Sequence, residues 1–280
     1  MPSFATPEPI SVTAHVGAGS LRLTASDRTD TVVEVLPANP KRDKDVKAAE
    51  QTEVTYANGV LTVRTKERRI IGPSGIVDVE VELPAGSEID VTGAWVTLSG
   101  EGRLGRARVK TSGGDVRLDT TGPLSVTVSH GSVSVDRAEG AAEVTTSSGT
   151  LRLGTVGGPA TLKNSHGSTI VGAVLGDLRA SGAYGDIEID RAEASVTATA
   201  AHGSLRVAEV VNGAVQLETS YGAIEVGIRQ GTAAWLDVNS TRGQVRNTLA
   251  ASEAPGETED KVTVRARTSW GNIDIRRAKA

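Results

Sequence analysis

The sequence contains no cysteine, which excludes disulfides, thiolate catalysis and cysteine-based metal sites. Aromatic residues make up only 2% of its 280 residues, so any core must be built from Val, Ile, Leu and Ala. No run approaches the ~20 consecutive apolar residues that a membrane-spanning helix needs. The 34 acidic and 30 basic residues are interspersed and give a formal net charge of -4, which leaves no basic stripe for nucleic acid. We therefore expect no nucleic-acid partner and no membrane span.

A secretory signal is also missing from the first nine residues, which contain neither a basic segment nor an apolar one. The sequence as written therefore predicts a cytoplasmic protein, or a cell-surface protein if an upstream signal has been removed. We expect residues 1–9 to form a flexible N-terminus.

Glycine, by contrast, is abundant, and through the middle of the chain it recurs every nine residues. The glycines of this repeat are Gly122, Gly131, Gly140, Gly149, Gly158, Gly167, Gly176 and Gly185. Each is followed by a short alternation of apolar and polar residues, the period-two pattern of a strand, and the spacing leaves no room for helices. The repeat predicts an all-β, single-chain parallel β-solenoid (β-helix) with coils of about 18 residues, each made of two nine-residue halves.

Two sets of aliphatic side chains, placed two and four residues after the glycines, are predicted to form the core. The first set is Val116, Leu118, Val133, Val135, Leu151, Leu153, Ile187, Ile189, Leu205, Val207, Ile224 and Val226. The second set is Leu124, Val126, Ala142, Val144, Ala160, Leu162, Leu178, Ala180, Val196, Ala198, Val215 and Leu217. A column of small residues two positions before the first glycine of each coil, from Ser112 to Ser220, is predicted to line a tight inward corner, where glycine supplies positive φ.

The repeat divides the chain into parts. Residues 10–104 carry less regular strand signals and predict an irregular β-strand cap of the solenoid, with a solvated loop at 37–50. Regular coils are expected over 105–247, an exposed loop over 248–261, and a terminal repeat with the C-terminal tail over 262–280. We expect this terminal repeat to cover the second end of the stack. The spacing alone leaves open whether one coil has 18 or 36 residues and which hand the solenoid has.

Three histidines precede repeat glycines at intervals of 36 residues. With 18-residue coils, His130, His166 and His202 lie on alternate rungs, about 9.6 Å apart, which is too far to share one zinc ion. The rungs between and beyond them carry Ser148, Tyr184 and Tyr221. We interpret the column as half-exposed polar and aromatic corner residues. Because aspartates are scattered among the corners, calcium ligation is not expected either, and no metal is predicted.

No residues stand out from the repeat as a reaction centre. Gly100 to Gly105 spells a dinucleotide-binding fingerprint, but that motif requires a helix where a strand is predicted at 107–109. The outward residues three positions after the glycines carry both charges, which predicts cross-rung ion pairs rather than paired catalytic acids. They are Arg117, Ser134, Arg152, Ile170, Glu188, Arg206, Glu225 and Arg246. We therefore predict no enzyme, no catalytic, cofactor-binding or metal-binding residues, and no cofactor.

Sugar-binding platforms usually stack sugars on aromatic side chains. The three tryptophans, Trp95, Trp235 and Trp270, are too dispersed in sequence to predict such a platform. A carbohydrate ligand therefore has no support from the sequence, and the binding residues of any partner remain unassigned.

The segment VDVEVELPAGS at 77–87, followed by IDV at 89–91, resembles the strand and Pro-Ala-Gly turn that introduce the repeats of a known family. This is the bacterial putative-adhesin family of β-strand repeat proteins, also called the toastrack domain. The repeats SGGDVRL at 112–118 and AYGDIEI at 183–189 resemble those of the family, and the resemblance covers about residues 10–276. It implies a β-solenoid, usually bacterial, that is used in surface adhesion or in presenting binding surfaces, and it supplies no catalytic motif.

The sequence thus predicts a non-enzymatic β-solenoid that serves as an interaction or structural scaffold. Because an open solenoid ends in unpaired strand edges, we expect a protein partner or self-association. The alternative is an exported adhesin or a carbohydrate-binding surface protein.

Overall fold

A computed structural model of the chain describes residues 1–65, 75–249 and 261–279. These residues form 25 β-strands and one short helix, which confirms the all-β class predicted from the repeat. They fall into two compact units, Met1–Arg137 and Ala138–Ala280. In each unit, parallel strands stack as the rungs of a β-solenoid.

The first unit begins irregularly and then adopts the repeat. Its elements are β1 (Ser3–Ala5), β2 (Ser11–Ser26), β3 (Asp30–Pro37), α1 (Asp43–Glu50), β4 (Glu53–Ala57), β5 (Val60–Arg64), β6 (Val77–Pro84), β7 (Glu88–Arg103), β8 (Ala107–Gly113), β9 (Val116–Thr121) and β10 (Leu124–His130), with β11 (Val133–Ala138) crossing the boundary between the units. The long strand β2 pairs in parallel with β5 and β6 on one side and with β7 on the other. Strand β7 in turn pairs with β8 and β9, and β8 with β10.

Antiparallel strands cover the first rungs of this unit. Strand β4 pairs with β5, β3 pairs with β6, and β1 pairs with β3. The prediction of a flexible segment at residues 1–9 is therefore wrong for β1, because those residues add a strand to the sheet. Such antiparallel additions protect strand edges that would otherwise be open to another chain.

The prediction of a solvated loop at 37–50 is also wrong, because α1 occupies its second half. Asp43 and Asp45 lie in its first turn, where carboxylates interact favourably with the positive end of the helix dipole. Asp45 is buried and accepts a hydrogen bond from the backbone N–H of Ile76 at 3.0 Å. This buried carboxylate anchors the helix, whose only apolar residues are Val46, Ala48 and Ala49, a weak sequence signal for a helix.

The second unit repeats two strands per coil. Its strands are β12 (Ala142–Ser148), β13 (Leu151–Val156), β14 (Ala160–His166), β15 (Thr169–Val174), β16 (Leu178–Tyr184), β17 (Ile187–Ala192), β18 (Val196–His202), β19 (Leu205–Val210), β20 (Gly213–Tyr221), β21 (Ile224–Ile228), β22 (Ala233–Arg242), β23 (Val245–Asn247), β24 (Lys261–Trp270) and β25 (Ile273–Arg277). Register partners such as Ala142 and Ala160, or Leu151 and Thr169, are eighteen residues apart. One coil therefore has 18 residues, not 36.

The last coil in sequence is not the last in space. Strand β24 pairs with β20 on one side and with β22 on the other, and β25 lies in the same way between β21 and β23. The prediction that residues 262–276 cap the stack is therefore wrong. The coil formed by β22 and β23 is the outer one. Most of the loop predicted at 248–261 lies outside the described residues.

The core follows the two predicted aliphatic sets, all of which are buried. The prediction that the small column from Ser112 to Ser220 lines an inward corner is wrong, since Ser112, Ser165 and Ser220 are exposed. The inward corner residue is the one before it, often Thr or Asn. Its side chain donates hydrogen bonds to corner carbonyl groups, as from Thr219 to Gly203 at 3.0 Å. The others that do so include Thr111, Asn164 and Thr268.

Candidate binding surfaces

Five residues of the second unit, each directly before a corner glycine, form a column of stacked rings, here called the aromatic ladder. Its members are His166, Tyr184, His202, Tyr221 and Trp270, which are register partners on β14, β16, β18, β20 and β24. Successive ring centroids lie 5.2, 4.9, 4.8 and 6.2 Å apart, with interplanar angles of 14°, 2°, 5° and 13°. The first three distances are close to the spacing of strands in a sheet, so the backbone register sets the stacking there.

A cation closes the ladder at the outer coil. The guanidinium carbon of Arg242, at the end of β22, lies 4.3 Å from the centroid of the Trp270 ring. Trp, Tyr and Arg are the residue types most enriched at the energetic centres of protein interfaces. At the other end, the imidazole Nδ1 of His166 lies 3.3 Å from the carbonyl oxygen of Ser147.

The ladder is exposed along its length. Tyr184, Tyr221 and Trp270 are 53%, 49% and 46% exposed, and both histidines are exposed as well. Because the rings face one another, their edges rather than their faces reach solvent. A partner therefore meets a row of phenol, imidazole and indole edges that can donate or accept hydrogen bonds.

The sequence predicts this column of corner residues but not the stacking of its rings. The prediction of half-exposed polar and aromatic corner residues is confirmed, with Tyr184 on the rung between His166 and His202 and Tyr221 on the rung beyond His202. Trp270, which the sequence alone does not connect with any other aromatic residue, joins the ladder. Among the described residues, no group of three His, Asp or Glu side chains is arranged to hold a metal ion.

The odd-numbered strands of the second unit, which do not carry the aromatic ladder, carry the predicted cross-rung ion pairs. Arg206 pairs with Glu188 on one neighbouring strand and approaches Glu225 on the other at 3.8 Å. Arg246 pairs with Asp274 at 3.6 Å. Exposed pairs of this kind are each worth about 0–1 kcal/mol, so they add little to the stability of this solvated surface.

A second charged group lies on the ladder side of the outer coils. Asp237 on β22 accepts hydrogen bonds from Arg267 at 2.8 Å and Arg265 at 3.3 Å. The Arg267 guanidinium, helped by Arg265, holds the pKa of Asp237 below its usual range. The carboxylate is therefore ionised under physiological conditions. Its side-chain hydrogen bonds connect β22 to β24 in addition to the backbone pairing of these strands.

The outer coil leaves apolar groups partly uncovered. Leu236 and Val238 on β22 are half-buried, although the matching residues Val264 and Ala266 on β24 are fully buried. Val245 on β23 is 44% exposed. Among the described residues, β22 pairs with no strand besides β24. Its second edge is open in that part of the chain, as expected at the end of a solenoid.

Residues Gly100 to Gly105 match the dinucleotide-binding fingerprint in sequence, but they do not adopt the strand, turn and helix that this motif requires. The first four of these residues end strand β7, and the next element is strand β8 rather than a helix. The backbone N–H of Gly102 donates to the Asp119 carboxylate at 3.0 Å. The amide is therefore directed at an acidic side chain, not at a phosphate site.

Comparison with known proteins gives one family and several solved structures. The family model described as Toastrack DUF4097 matches residues 10–276. A "putative adhesin" from Parabacteroides merdae is 17% identical, covers 79% of this chain and 92% of its own, and has a TM-score of 0.47. A "putative adhesin" from Bacteroides fragilis is 14% identical, with coverages of 98% and 95% and a TM-score of 0.37. A "putative lipid binding protein" from Parabacteroides distasonis is 12% identical, with coverages of 99% and 96% and a TM-score of 0.29.

No curated protein matches the sequence. The helix among the described residues is neither long nor apolar enough to cross a membrane.

Proposed function

The chain belongs to the Toastrack DUF4097 family, and we propose that it is a non-enzymatic β-solenoid scaffold that binds a protein partner through its aromatic ladder. The observation that carries the proposal is the row of exposed rings from His166 to Trp270, closed by Arg242. The rings are held by the backbone register and by one another. A partner therefore immobilises few additional side-chain rotors when it binds, which lowers the entropic cost of association.

Site-specific photocrosslinking in the native host tests this proposal. A benzoylphenylalanine at position 184 or 221 replaces an aromatic ring with another aromatic ring and is expected to give a discrete crosslinked product. The matched control carries the same group in place of Arg152. This residue is exposed and lies on β13, a strand that does not carry the aromatic ladder. Equal products from all three positions, or none from the ladder, would contradict a ladder-specific interface.

We further propose that two copies associate through the outer coil. Its half-buried Leu236 and Val238 and the open edge of β22 support this, because both would be covered by a second copy. Sedimentation velocity should show that the double substitution Trp235→Lys and Val245→Lys shifts the protein towards the monomer. Leu175→Lys is the control for placing a lysine at an exposed apolar position, since Leu175 is 53% exposed and lies outside the outer coil. A parent that is monomeric at all concentrations would rule this association out.

The second candidate function is an exported adhesin or a carbohydrate-binding surface protein. An exposed tryptophan in the first unit, described below, favours it. Fractionation of the native host separates the two candidates, because a scaffold of the cytoplasm is recovered in the soluble cell contents and an adhesin at the cell surface.

A further inference from the structure

The first unit contains an open cleft beside Trp95. Its volume is about 480 Å³, within the range of ligand-binding clefts of about 300–1,000 Å³. Strand β2 forms the floor at Gly17 to Gly19, because it lies between β6 and β7 in the sheet. The indole of Trp95 forms one wall, and Ile76, next to the start of β6, forms the other.

The floor carries almost no side chains, and one of its glycines cannot be replaced. Gly19 has φ +145°, and a Cβ atom there would lie 1.7 Å from the carbonyl oxygen of Val77. The register partners of Trp95 are Ala18 on one side and Gly113 on the other, so no neighbouring ring covers the indole. Trp95 is 61% exposed. Unlike the rings of the aromatic ladder, this ring has a face available to a ligand.

The backbone of Gly113 supports the indole. A Cβ atom at Gly113 would lie 2.4 Å from Cε3 and 2.5 Å from Cζ3 of Trp95. Any side chain at position 113 would therefore displace the ring. Gly113 is a positioning residue for the wall of the cleft.

A carboxylate lies at the end of the cleft. The hydroxyl group of Ser20 donates a hydrogen bond to Oδ1 of Asp78 at 2.6 Å, and both residues line the cleft. An ionised carboxylate has about four lone-pair sites, so this bond leaves capacity to accept two more hydroxyl groups. Hydrogen bonds to an ionised acceptor are about twice as strong as those between neutral groups.

From this arrangement we infer that the cleft binds a pyranose ring of a glycan. The C–H groups on one face of the sugar lie against the electron-rich face of the indole, and two adjacent hydroxyl groups donate to Asp78. One exposed ring, a bare floor and one carboxylate match a ligand that is apolar on its face and polar around its rim. The inference deepens the second candidate function, and it concerns the first unit alone.

The three tryptophans provide a separate signal for each location. In a ¹⁵N-labelled protein, each indole N–H gives its own resonance, and the Trp95 resonance is the one missing from Trp95→Ala. Titration with methyl glycosides of glucose, galactose and mannose is expected to shift the Trp95 resonance for at least one of them. The resonances of Trp235 and Trp270 should not move.

Variants then locate the contacts. Trp95→Ala and Asp78→Ala should abolish binding measured by saturation-transfer difference on the glycoside, and Gly113→Ala should weaken it. Trp235→Ala is the matched control, because it removes another exposed tryptophan, and it should bind as the parent does. Circular dichroism verifies that each variant is folded.

The inference is overturned if no glycoside shifts the Trp95 resonance, or if binding survives in folded Trp95→Ala and Asp78→Ala. It is also overturned if tetramethylammonium ions shift this resonance when no glycoside does, because that result identifies a cation site on the indole face. Neither result affects the crosslinking test of the aromatic ladder, so failure of the sugar site and failure of the proposed scaffold are distinguishable.

Discussion

Corner glycines of the second unit combine a left-handed backbone with a close approach of the neighbouring rung, so they cannot accept a side chain without strain. Gly185 has φ +133°, and a Cβ atom there would lie 2.2 Å from the carbonyl oxygen of Gly167 on the next rung. We predict that Gly185→Ala lowers the free energy of unfolding by more than about 3 kcal/mol, because backbone strain and a contact with backbone atoms add together. Urea denaturation followed by circular dichroism measures the loss.

Gly231→Ala is the matched control for this prediction. Gly231 also has positive φ, at +83°, but no atom lies within 4 Å of its Cβ position. The substitution should therefore cost only the left-handed backbone strain of about 1–2 kcal/mol. Equal losses at the two positions would mean that the contact between rungs contributes nothing.

Residues in the middle of a strand are predictable from the sequence, whereas residues at a corner are not. The period-two pattern correctly places Ile187 in the core and Glu188 outside. It also continues through Thr219, which is buried, to Ser220, which is exposed. The small size of Ser220 predicts an inward position, but the strand alternation persists as far as this residue and places it outside. The buried threonine is tolerated because its hydroxyl group donates to a carbonyl group.

At the scale of an element, the aromatic ladder should couple neighbouring strands energetically. We predict a coupling of about 0.5–1 kcal/mol between Tyr184 and His202, whose centroids lie 4.9 Å apart, beyond the area that each ring buries. A double-mutant cycle of Tyr184→Ala and His202→Ala, analysed by urea denaturation, measures this quantity.

The control cycle uses His166 and Tyr221, which belong to the same ladder but are separated by two other rings. Their coupling should be close to zero. A similar coupling in both cycles would indicate that the substitutions change the whole sheet rather than a ring contact.

The ladder also shows what a sequence can establish about an element. The column of residues before the glycines is visible in the spacing, but the stacking depends on the length of one coil. With 36-residue coils His166 and His202 would be neighbours, and with 18-residue coils Tyr184 lies between them. Backbone register decides between coils of 18 and 36 residues, and this register depends on contacts between residues that are distant in sequence. The helix α1 escapes detection for a different reason, since a buried aspartate fixes it.

At the scale of the molecule, the order of rungs in the second unit departs from the order of the sequence. Strands β22 and β23 come before β24 and β25 in the sequence. In space, however, β24 and β25 occupy the rung between β22 and β23 and the coil of β20 and β21. The widened intervals from Gly222 to Gly243 and Gly271 record this departure. They do not reveal which coil is outside, because both coils carry the same alternating pattern. Only the strand pairing distinguishes them.

This order makes a sharp prediction about two shortened chains. Ending the chain at residue 249 removes the partners of both β22 and β23 and opens the edges of β20 and β21, so we expect larger species by light scattering and loss of a cooperative melt. Deleting residues 233–260 instead removes only the outer coil among the described strands. Because Ala233 and Lys261 are register partners on adjacent rungs, the chain can pass from residue 232 into β24, and we expect a cooperative melt. If the chain ending at 249 stays monodisperse and melts at the parent's temperature, β24 and β25 are not an interior rung.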